Sequence, residues 1–361
     1  MVSRILRMAL FGSSLLAQVD PNDPSEKRFR ALVDKERREE AFTAAEAEFY
    51  RSYYERRTAA YVERNPPRES TGLIPLPELG PGRHKGEEGG LYPGGRNVPP
   101  RHHLDAGLRL SKSIQPLDAA GKPSPTGTIV LMSLGMSNTS LEFDTFQRLV
   151  RAETGINPRL VLVNGSQGGQ DATKTSNPAA NYWGFVEQRL QLAGVTPSQV
   201  QVVWLKQAMV GPKPPFPADA RQMQKHLQAI VQIAAQRYPS LKLAYLSSRI
   251  YAGYARIPLS PESHAYETGF AVKWLIADQI AGKSELNFLA SGGELRAPWL
   301  AWGPYLWADG TRPRGDGLTY LRSDMAPDDG THPSRGAREK VARLLLEFFR
   351  RDPTAKSWFL E

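Results

Sequence analysis

The chain has 361 residues, of which 40% are apolar, so it is long enough for one large α/β domain with additions or for two domains. It contains no cysteine, which excludes disulfides, cysteine-ligated zinc and a thiol nucleophile. The 46 lysines and arginines exceed the 37 acidic residues and give a formal charge of +9. Because these basic residues are scattered among acids, with no stripe interleaved with aromatics, we predict no nucleic-acid partner.

The first 20 residues resemble an interrupted secretory signal peptide. Arg4 and Arg7 precede an apolar run over 8–17, with small residues near a candidate cleavage point after Ala17. A glycine and two serines at 12–14 interrupt the run, so a cytoplasmic helix start or a disordered tail is an equal alternative. Localisation therefore stays open between secreted or periplasmic and cytoplasmic. No stretch approaches the ~20 apolar residues that cross a bilayer, so we predict no stable membrane insertion.

Residues 21–65 are predicted to form a charged helical extension. From Ser25 to about Asn65 the chain has no Gly or Pro, which predicts one or two helices. Its aromatic residues fall near helical spacing and should pack on each other or on the downstream domain, with a partner-binding arm as the alternative: Phe42, Phe49, Tyr53 and Tyr54. Residues 66–125 are rich in Pro and Gly, which predicts a linker or an irregular loop wrapped on the main domain.

From about residue 126 to 361, short apolar runs alternate with longer helical patterns. The runs predict buried parallel strands at 128–134, 159–165, 200–206, 241–248 and 297–304. The intervening patterns predict helices at about 140–154, 181–193, 218–237, 262–280 and 335–349. Strict alternation indicates right-handed βαβ units, hence a three-layer α/β/α sandwich with a five-stranded parallel sheet. Functional sites in such folds lie at the carboxyl ends of the strands.

A serine stands at that edge, after the first predicted strand. Ser137, in the stretch GMSN, comes just before a predicted helix, where a side chain projects into the crevice. It can act as a nucleophile if a base takes its proton, although a helix N-cap is the commoner role of serine at such a position. The stretch is not a Gly-x-Ser-x-Gly elbow, because Thr139 stands where the second glycine would be.

The candidate base lies near the other end of the chain, in DDGTHPS. His332 follows Asp329 by three residues in a glycine-containing turn, so the carboxylate can hold Nδ1–H and leave Nε2 free to accept a proton. Asp328, four residues from the histidine, is the second choice as its partner. Metal binding by Asp and His is a competing role, but no second spaced ligand group accompanies them. We therefore predict no metal and no cofactor.

Together these motifs resemble the SGNH hydrolase superfamily of GDSL-type esterases and lipases. The resemblance covers about 126–350: a serine turn after the first strand, a Gly-rich turn after the second, an amide after the third, and Asp-x-x-His before the last helix. GMSN is similar to the Gly-Gln-Ser-Asn turn of carbohydrate acetylesterases in that superfamily. The resemblance implies a flavodoxin-like fold, with Ser137 as nucleophile, His332 as general base and Asp329 as its orienter.

The resemblance also implies three oxyanion donors. They are the backbone N–H of Ser137, the N–H of Gly169 or alternatively Gly168 after the second strand, and a side-chain amide after the third strand. Where the family has Gly-x-Asn-Asp, this chain has LKQA over 205–208, so Gln207 is the candidate third donor. Its side chain is one methylene longer than that of asparagine, and it could equally be a bystander.

Aromatic residues near strand ends are candidate substrate contacts. The segments APWLAWGPYLWADG and SSRIYAGYA contain Trp299, Trp302, Tyr305, Trp307, Arg249, Tyr251 and Tyr254. Such rings can stack on sugars, although core packing is the ordinary alternative. We take Trp302, Trp307, Tyr251 and the serine's neighbour Asn138 as the predicted substrate-binding set.

The sequence as a whole therefore predicts a serine esterase that acts on a small-molecule or carbohydrate ester. An O-acetyl sugar is favoured by the likeness of GMSN. The alternative is a non-catalytic glycan- or partner-binding protein on the same fold. The sequence leaves the acyl group, the alcohol and the oligomeric state open.

Overall fold

The computed structural model describes residues 22–37, 40–211 and 213–361, so the predicted signal peptide lies outside the described residues. The α-helices are α1 (Pro24–Arg37), α2 (Ala44–Arg64), α3 (Leu76–Leu79), α4 (Arg101–Lys112), α5 (Ser137–Arg151), α6 (Ala172–Thr175), α7 (Asn181–Leu192), α8 (Ala218–Arg237), α9 (His264–Ile280), α10 (Arg335–Arg351) and α11 (Lys356–Phe359). The strands are β1 (Arg83–His84), β2 (Glu87–Glu88), β3 (Ile129–Gly135), β4 (Leu160–Asn164), β5 (Val200–Lys206), β6 (Leu243–Leu246) and β7 (Trp299–Trp302). Among these described residues, no helix is both long enough and apolar enough to cross a bilayer.

The main sheet has five parallel strands in the order β4-β3-β5-β6-β7. In terms of its own strands this order is 2-1-3-4-5, the flavodoxin-like arrangement. Because β3 connects to β4 in one direction and the later strands follow in the other, right-handed crossovers put α5 on the face opposite α7, α8 and α9. The predicted three-layer α/β/α sandwich is thus confirmed.

The strands form where the apolar runs predicted them. Every residue of β3 and of β5 is buried, as parallel strands covered on both faces must be. The observed strand bounds differ from the predicted ones by at most two residues at either end. The first helix of the sheet domain differs more: α5 begins at Ser137, three residues earlier than predicted, so the serine belongs to the helix itself.

The N-terminal extension is a pair of helices with its own small aromatic core. Its buried aromatics pack on each other and on Ile257, which lies in the loop after β6: Phe29, Tyr50, Tyr53 and Tyr54. The second helix starts with a capping box in which Thr43 and Glu46 exchange hydrogen bonds. Lys35 of α1 also forms an ion pair with Glu46. This contact is the largest cause, and the capping bonds a smaller one, that lowers the pKa of Glu46 to about 2.

Residues 66–125 run along the sheet domain and contribute to its core. Leu76 and Tyr92 belong to the main apolar cluster, and the indole of Trp302 donates a hydrogen bond to the Leu91 carbonyl at 2.6 Å. The buried carboxylate of Asp309 accepts hydrogen bonds from the backbone N–H groups and hydroxyls of 70–72. These contacts hold the Pro/Gly-rich segment near the β7 edge of the sheet.

A buried carboxylate joins the two N-terminal helices. Glu26 of α1 is completely buried, and its Oε2 accepts hydrogen bonds from Arg57 Nη1 at 2.8 Å and from the Tyr53 hydroxyl at 3.1 Å. Its other oxygen accepts from Arg30 at 2.8 Å. Since Arg57 is itself buried, the pair depends on both partners being present.

We expect Glu26→Ala to lower the free energy of unfolding by about 3–5 kcal/mol, because it leaves the Arg57 guanidinium buried without its carboxylate. Chemical unfolding combined with limited proteolysis of the N-terminal helices measures the effect. The matched control is Glu55→Ala, at an exposed position on α2, which should change stability by less than about 0.5 kcal/mol. Equal effects of the two substitutions would contradict the assigned role of Glu26.

Candidate active site

Ser137 is the first residue of α5, at the carboxyl end of β3. The N-cap of this helix is Met136, so Ser137 does not occupy the cap position. Instead, Ser137 Oγ lies 2.7 Å from His332 Nε2. The hydroxyl therefore faces an imidazole rather than the free N–H groups of the helix, which removes the simple capping role considered for it.

The approach of the serine to the sheet depends on a glycine. A Cβ on Gly135 would lie 2.3 Å from the Lys206 carbonyl oxygen, so only glycine allows β3 and β5 to come this close. The Thr139 hydroxyl donates a hydrogen bond to the same carbonyl at 2.7 Å. These contacts hold the first turn of α5, with Ser137 on it, against the end of β5.

Asp329 is completely buried and organises the turn that carries His332. Its Oδ1 accepts hydrogen bonds from the backbone N–H groups of Thr331 at 2.6 Å and His332 at 2.7 Å. Its Oδ2 lies 3.2 Å from His332 Nδ1. With Nδ1–H donated to Asp329, Nε2 has its lone pair toward the serine hydroxyl. Asp328, the second choice in the sequence, is exposed to solvent.

The loop after β6 supports this turn from behind. The Arg256 N–H donates to the Asp329 carbonyl at 2.8 Å. Gly330 has φ +65°, and a Cβ on it would lie 1.9 Å from the Tyr254 carbonyl oxygen. Asn138, predicted to contact substrate, is buried, and its Nδ2 donates to the Thr331 carbonyl at 3.2 Å. Asn138 therefore ties the turn to α5, and its contact with a substrate stays a prediction.

Two glycines after β4 offer backbone donors on this edge. Gly168 and Gly169 form an exposed to half-exposed turn, and Gly169 has φ +74°. Neither backbone N–H has an acceptor within the described part of the chain. The turn is tied down through the Gly169 carbonyl, which accepts a hydrogen bond from Lys174 Nζ at 2.6 Å.

Gln207 follows β5, but its amide is already engaged. Its Nε2 donates to the Gln170 carbonyl at 3.0 Å and to the Thr175 hydroxyl at 3.0 Å, which uses both amide hydrogens. The side chain is buried. In this arrangement Gln207 holds the turn that carries Gly169 and has no hydrogen left for an oxyanion, so its predicted role as a donor is corrected to a positioning one.

The predicted aromatic contacts also differ from expectation. Trp302, Trp307 and Tyr251 are all buried, and each polar tip has a protein partner. Trp307 Nε1 donates to Glu262 Oε1 at 2.9 Å and the Tyr251 hydroxyl donates to the Arg68 carbonyl at 2.7 Å, while Trp302 binds Leu91. These rings are part of the core and present no face to a substrate, so the stacking role assigned to them is withdrawn.

Buried charges outside the predicted substrate-binding set lie at the same edge. Lys206, the last residue of β5, has its Nζ 2.5 Å from the carboxylate of Glu142 on α5, and both side chains are fully buried. Burial lowers the pKa of Lys206 to about 8 despite Glu142. Arg249, three residues after β6, is buried as well. A charged residue at the end of a mostly apolar strand is the sequence signal for Lys206.

A separate group of potential metal ligands lies on α8 and α9. Asp219, His264 and Glu267 each offer a ligand atom, all within 4.8 Å of one another. His264 Nδ1 lies 2.7 Å from Asp219 Oδ2, and Lys85 Nζ lies 3.0 Å from Glu267 Oε1. The hydrogen bond to Asp219 raises the pKa of His264. The group is thus an ion-pair network whose negative charges are already matched by cations.

A cavity of about 660 Å³ lies behind the turn over 329–332. Val62, Tyr254, Met325, Pro327 and Gly330 are among its lining residues. Neither Ser137 nor His332 lines it, so this cavity is not where the serine and the imidazole meet.

The chain was compared with family models, curated proteins and solved structures. No family model matches it, and no curated protein matches it. Among solved structures, it is similar to a Bacteroides fragilis protein described as "a putative acylhydrolase", at 10% identity and a TM-score of 0.34, over 69% of this chain and 96% of that one. A likeness this distant carries no functional conclusion.

We expect Gly330→Ala to disrupt the turn over 329–332, because the new methyl group would clash with the Tyr254 carbonyl in addition to the cost of a positive φ. The free energy of unfolding should fall by more than about 2 kcal/mol, measured by chemical unfolding. Gly155→Ala is the matched control, since Gly155 has φ +70° but open space around its Cα. A loss no larger than that of the control would exclude the clash.

We expect Gln207→Ala to loosen the turn over 168–176, because two hydrogen bonds to it are lost and the freed acceptors are partly buried. Amide hydrogen exchange in this turn should accelerate by about tenfold or more, while exchange in β3 stays slow. Gln191→Ala, at an exposed glutamine of α7, should leave the exchange unchanged. Unaltered exchange in the Gln207 variant would remove its positioning role.

Proposed function

We propose that the protein is a serine ester hydrolase of the SGNH type that works through an acyl-enzyme. The observation that carries the proposal is the alignment of three side chains: Ser137 Oγ lies 2.7 Å from His332 Nε2, and His332 Nδ1 lies 3.2 Å from the buried Asp329. A nucleophile in contact with a base whose other nitrogen is oriented by a third group is the general arrangement of activated serines.

The proposed reaction begins when Ser137 Oγ attacks the ester carbonyl and His332 Nε2 takes the hydroxyl proton. The tetrahedral intermediate collapses, its C–O bond to the alcohol breaks, and the imidazolium returns the proton to the departing alcohol. A water molecule then repeats the attack on the acyl-enzyme and releases the acid. General-base assistance of this kind contributes about 10²–10⁴ in rate.

The negative oxygen of the intermediate is assigned to backbone donors. The N–H of Ser137 lies at the start of α5, where the helix dipole favours a negative charge, and the N–H of Gly169 lacks a protein acceptor among the described residues. Since Gln207 is engaged elsewhere, the proposed oxyanion hole has two donors rather than three. One such donor typically contributes about 10²–10³ in rate.

The proposed substrate class rests on one sequence feature. With the aromatic rings in the core, the likeness of GMSN to the turn of carbohydrate acetylesterases is what remains in favour of an O-acyl sugar. We keep a carbohydrate ester as the proposed substrate and a simple small-molecule ester as the wider class.

Incubation of the wild-type protein with a fluorophosphonate should give one covalent adduct by intact mass, and the protein should hydrolyse 4-nitrophenyl acetate. Ser137→Ala removes the attacked oxygen and His332→Ala removes the base, so both should lose the adduct and lower turnover by at least about 10³-fold. Ser291→Ala and His102→Ala, at exposed positions, are the controls and should label as wild type does.

An adduct on folded Ser137→Ala protein would assign the reactivity to another residue. Folded wild-type protein without an adduct would instead favour the non-catalytic binding protein on this fold.

A further inference from the structure

One buried guanidinium has two nitrogens that find no hydrogen-bond partner among the described residues. Arg249 is only 2% exposed, and its Nε and Nη2 are buried without an acceptor. Its backbone N–H, in contrast, donates to the Thr268 hydroxyl at 3.1 Å. A buried charged group without partners is costly, so such a group is a marker of a functional site rather than of stability.

The two free nitrogens form one recognition edge. Nε and Nη2 lie on the same side of the planar guanidinium, and together they present two parallel N–H donors, the fork that a carboxylate binds with both oxygens. The whole of this edge is therefore unoccupied by protein acceptors in the described chain.

The carboxylates around Arg249 are committed to other donors. Glu142 pairs with Lys206, and Asp329 binds its own turn and His332. The buried Glu262 accepts hydrogen bonds from two backbone N–H groups and from Trp307 Nε1. Burial lowers the pKa of Arg249, and the negative charges of these three carboxylates act against this effect from a distance. None of the three accepts a hydrogen bond from the fork.

A second cation lies beside it. Lys213 and Thr268 line the same small cavity, and Thr268 holds the Arg249 backbone. The Lys213 Nζ has only a long contact of 3.4 Å, to the Gly211 carbonyl, and forms no ion pair among the described residues. Burial first, and then the positive charge of Arg249, lowers the pKa of Lys213 to about 8. Asp219 and Glu267 line the same cavity and raise the pKa of Lys213 from a distance, but they are paired with His264 and Lys85. The fork of Arg249 and the ammonium of Lys213 therefore remain the donors that an anionic ligand can use.

The location connects this pair with the proposed chemistry. Arg249 follows β6 and Lys213 lies in the loop after β5, at the edge of the sheet where Ser137 follows β3. Asp329, which orients His332, is among the carboxylates whose negative charge raises the pKa of Arg249. In the strand order both cations thus follow strands on the same side of β3, the strand that leads to Ser137.

We propose that Arg249 and Lys213 form a subsite for a carboxylate group of the ester substrate, an inference that rests on the proposed hydrolase function. The substrate is then an acidic ester, such as an acylated uronic acid, rather than a neutral one. The carboxylate occupies the Nε–Nη2 fork of Arg249, and Lys213 adds a second positive charge.

The test compares acidic esters with their neutral counterparts. O-acetylated glucuronate carries the carboxylate on the alcohol side and mono-4-nitrophenyl glutarate carries it on the acyl side; each is compared with its methyl ester. We expect wild-type kcat/KM to favour the acid over the methyl ester by at least about tenfold in one of the two pairs. Arg249→Gln should reduce this ratio to near one, and Arg249→Lys, which keeps the charge without the fork, should reduce it partly.

This ratio separates recognition of the carboxylate from a structural role of Arg249. A damaged fold lowers kcat/KM for the acid and for the methyl ester together and leaves their ratio unchanged. Lys213→Met supplies a second variant if Arg249→Gln does not fold, and it should also lower the ratio. Lys225→Met, an exposed lysine of α8, is the matched control and should keep the wild-type ratio. Equal use of acid and methyl ester by wild type in both pairs overturns the proposal, as does an unchanged ratio in the folded variants.

Binding without turnover distinguishes failure of the subsite from failure of the hydrolase. Glucuronate should raise the melting temperature of the wild-type protein more than its methyl ester does, and Arg249→Gln should remove the difference. If fluorophosphonate labels Ser137 but the acid is not preferred, only the subsite is lost. If no label forms, this melting experiment still decides the subsite. Stabilisation by phosphate or sulfate equal to that by glucuronate would overturn the assignment to a carboxylate.

Discussion

The carboxylate of Asp329 is the interaction on which the site depends. It is completely buried, a position that is costly unless its oxygens are hydrogen-bonded. One oxygen accepts two backbone N–H groups and thereby shapes the turn, and the other faces the imidazole of His332. The orientation of that imidazole is therefore determined within four residues, and only the distance to Ser137 has to be set by the fold.

Two supports from distant parts of the chain set that distance. From one side, Gly135 lets the end of β3 approach β5, so that α5 starts at Ser137 with its hydroxyl at the edge of the sheet. From the other side, the loop after β6 holds the turn through Arg256, and Ile257 of the same loop packs on the N-terminal helices. The helical extension thus contacts the loop that supports the turn over 329–332.

Prediction from sequence succeeded where the signal was local. The apolar runs located all five strands, and Asp-x-x-His indicated a turn in which a carboxylate reaches its own histidine, as the distances around Asp329 show. It failed for side chains whose partners are far away in sequence. The amide of Gln207 suits an oxyanion donor, but Thr175 lies across the turn and accepts one of its hydrogens. The ring of Trp302 is not available for stacking, because it is buried and its indole N–H donates to the carbonyl of Leu91, 211 residues earlier in the chain.

By itself, the sequence determined the alternation of strands and helices, the edge of the sheet at which polar residues collect, and the local geometry of the turn over 329–332. These follow from backbone periodicity and short-range hydrogen bonding, which depend on neighbours in the chain. Only the tertiary structure decided which polar groups form hydrogen bonds within the protein and which remain available to a ligand. Gln207 is engaged and the Arg249 fork is not, because partner choice is a property of the packed interior, where each donor competes for acceptors from the whole chain.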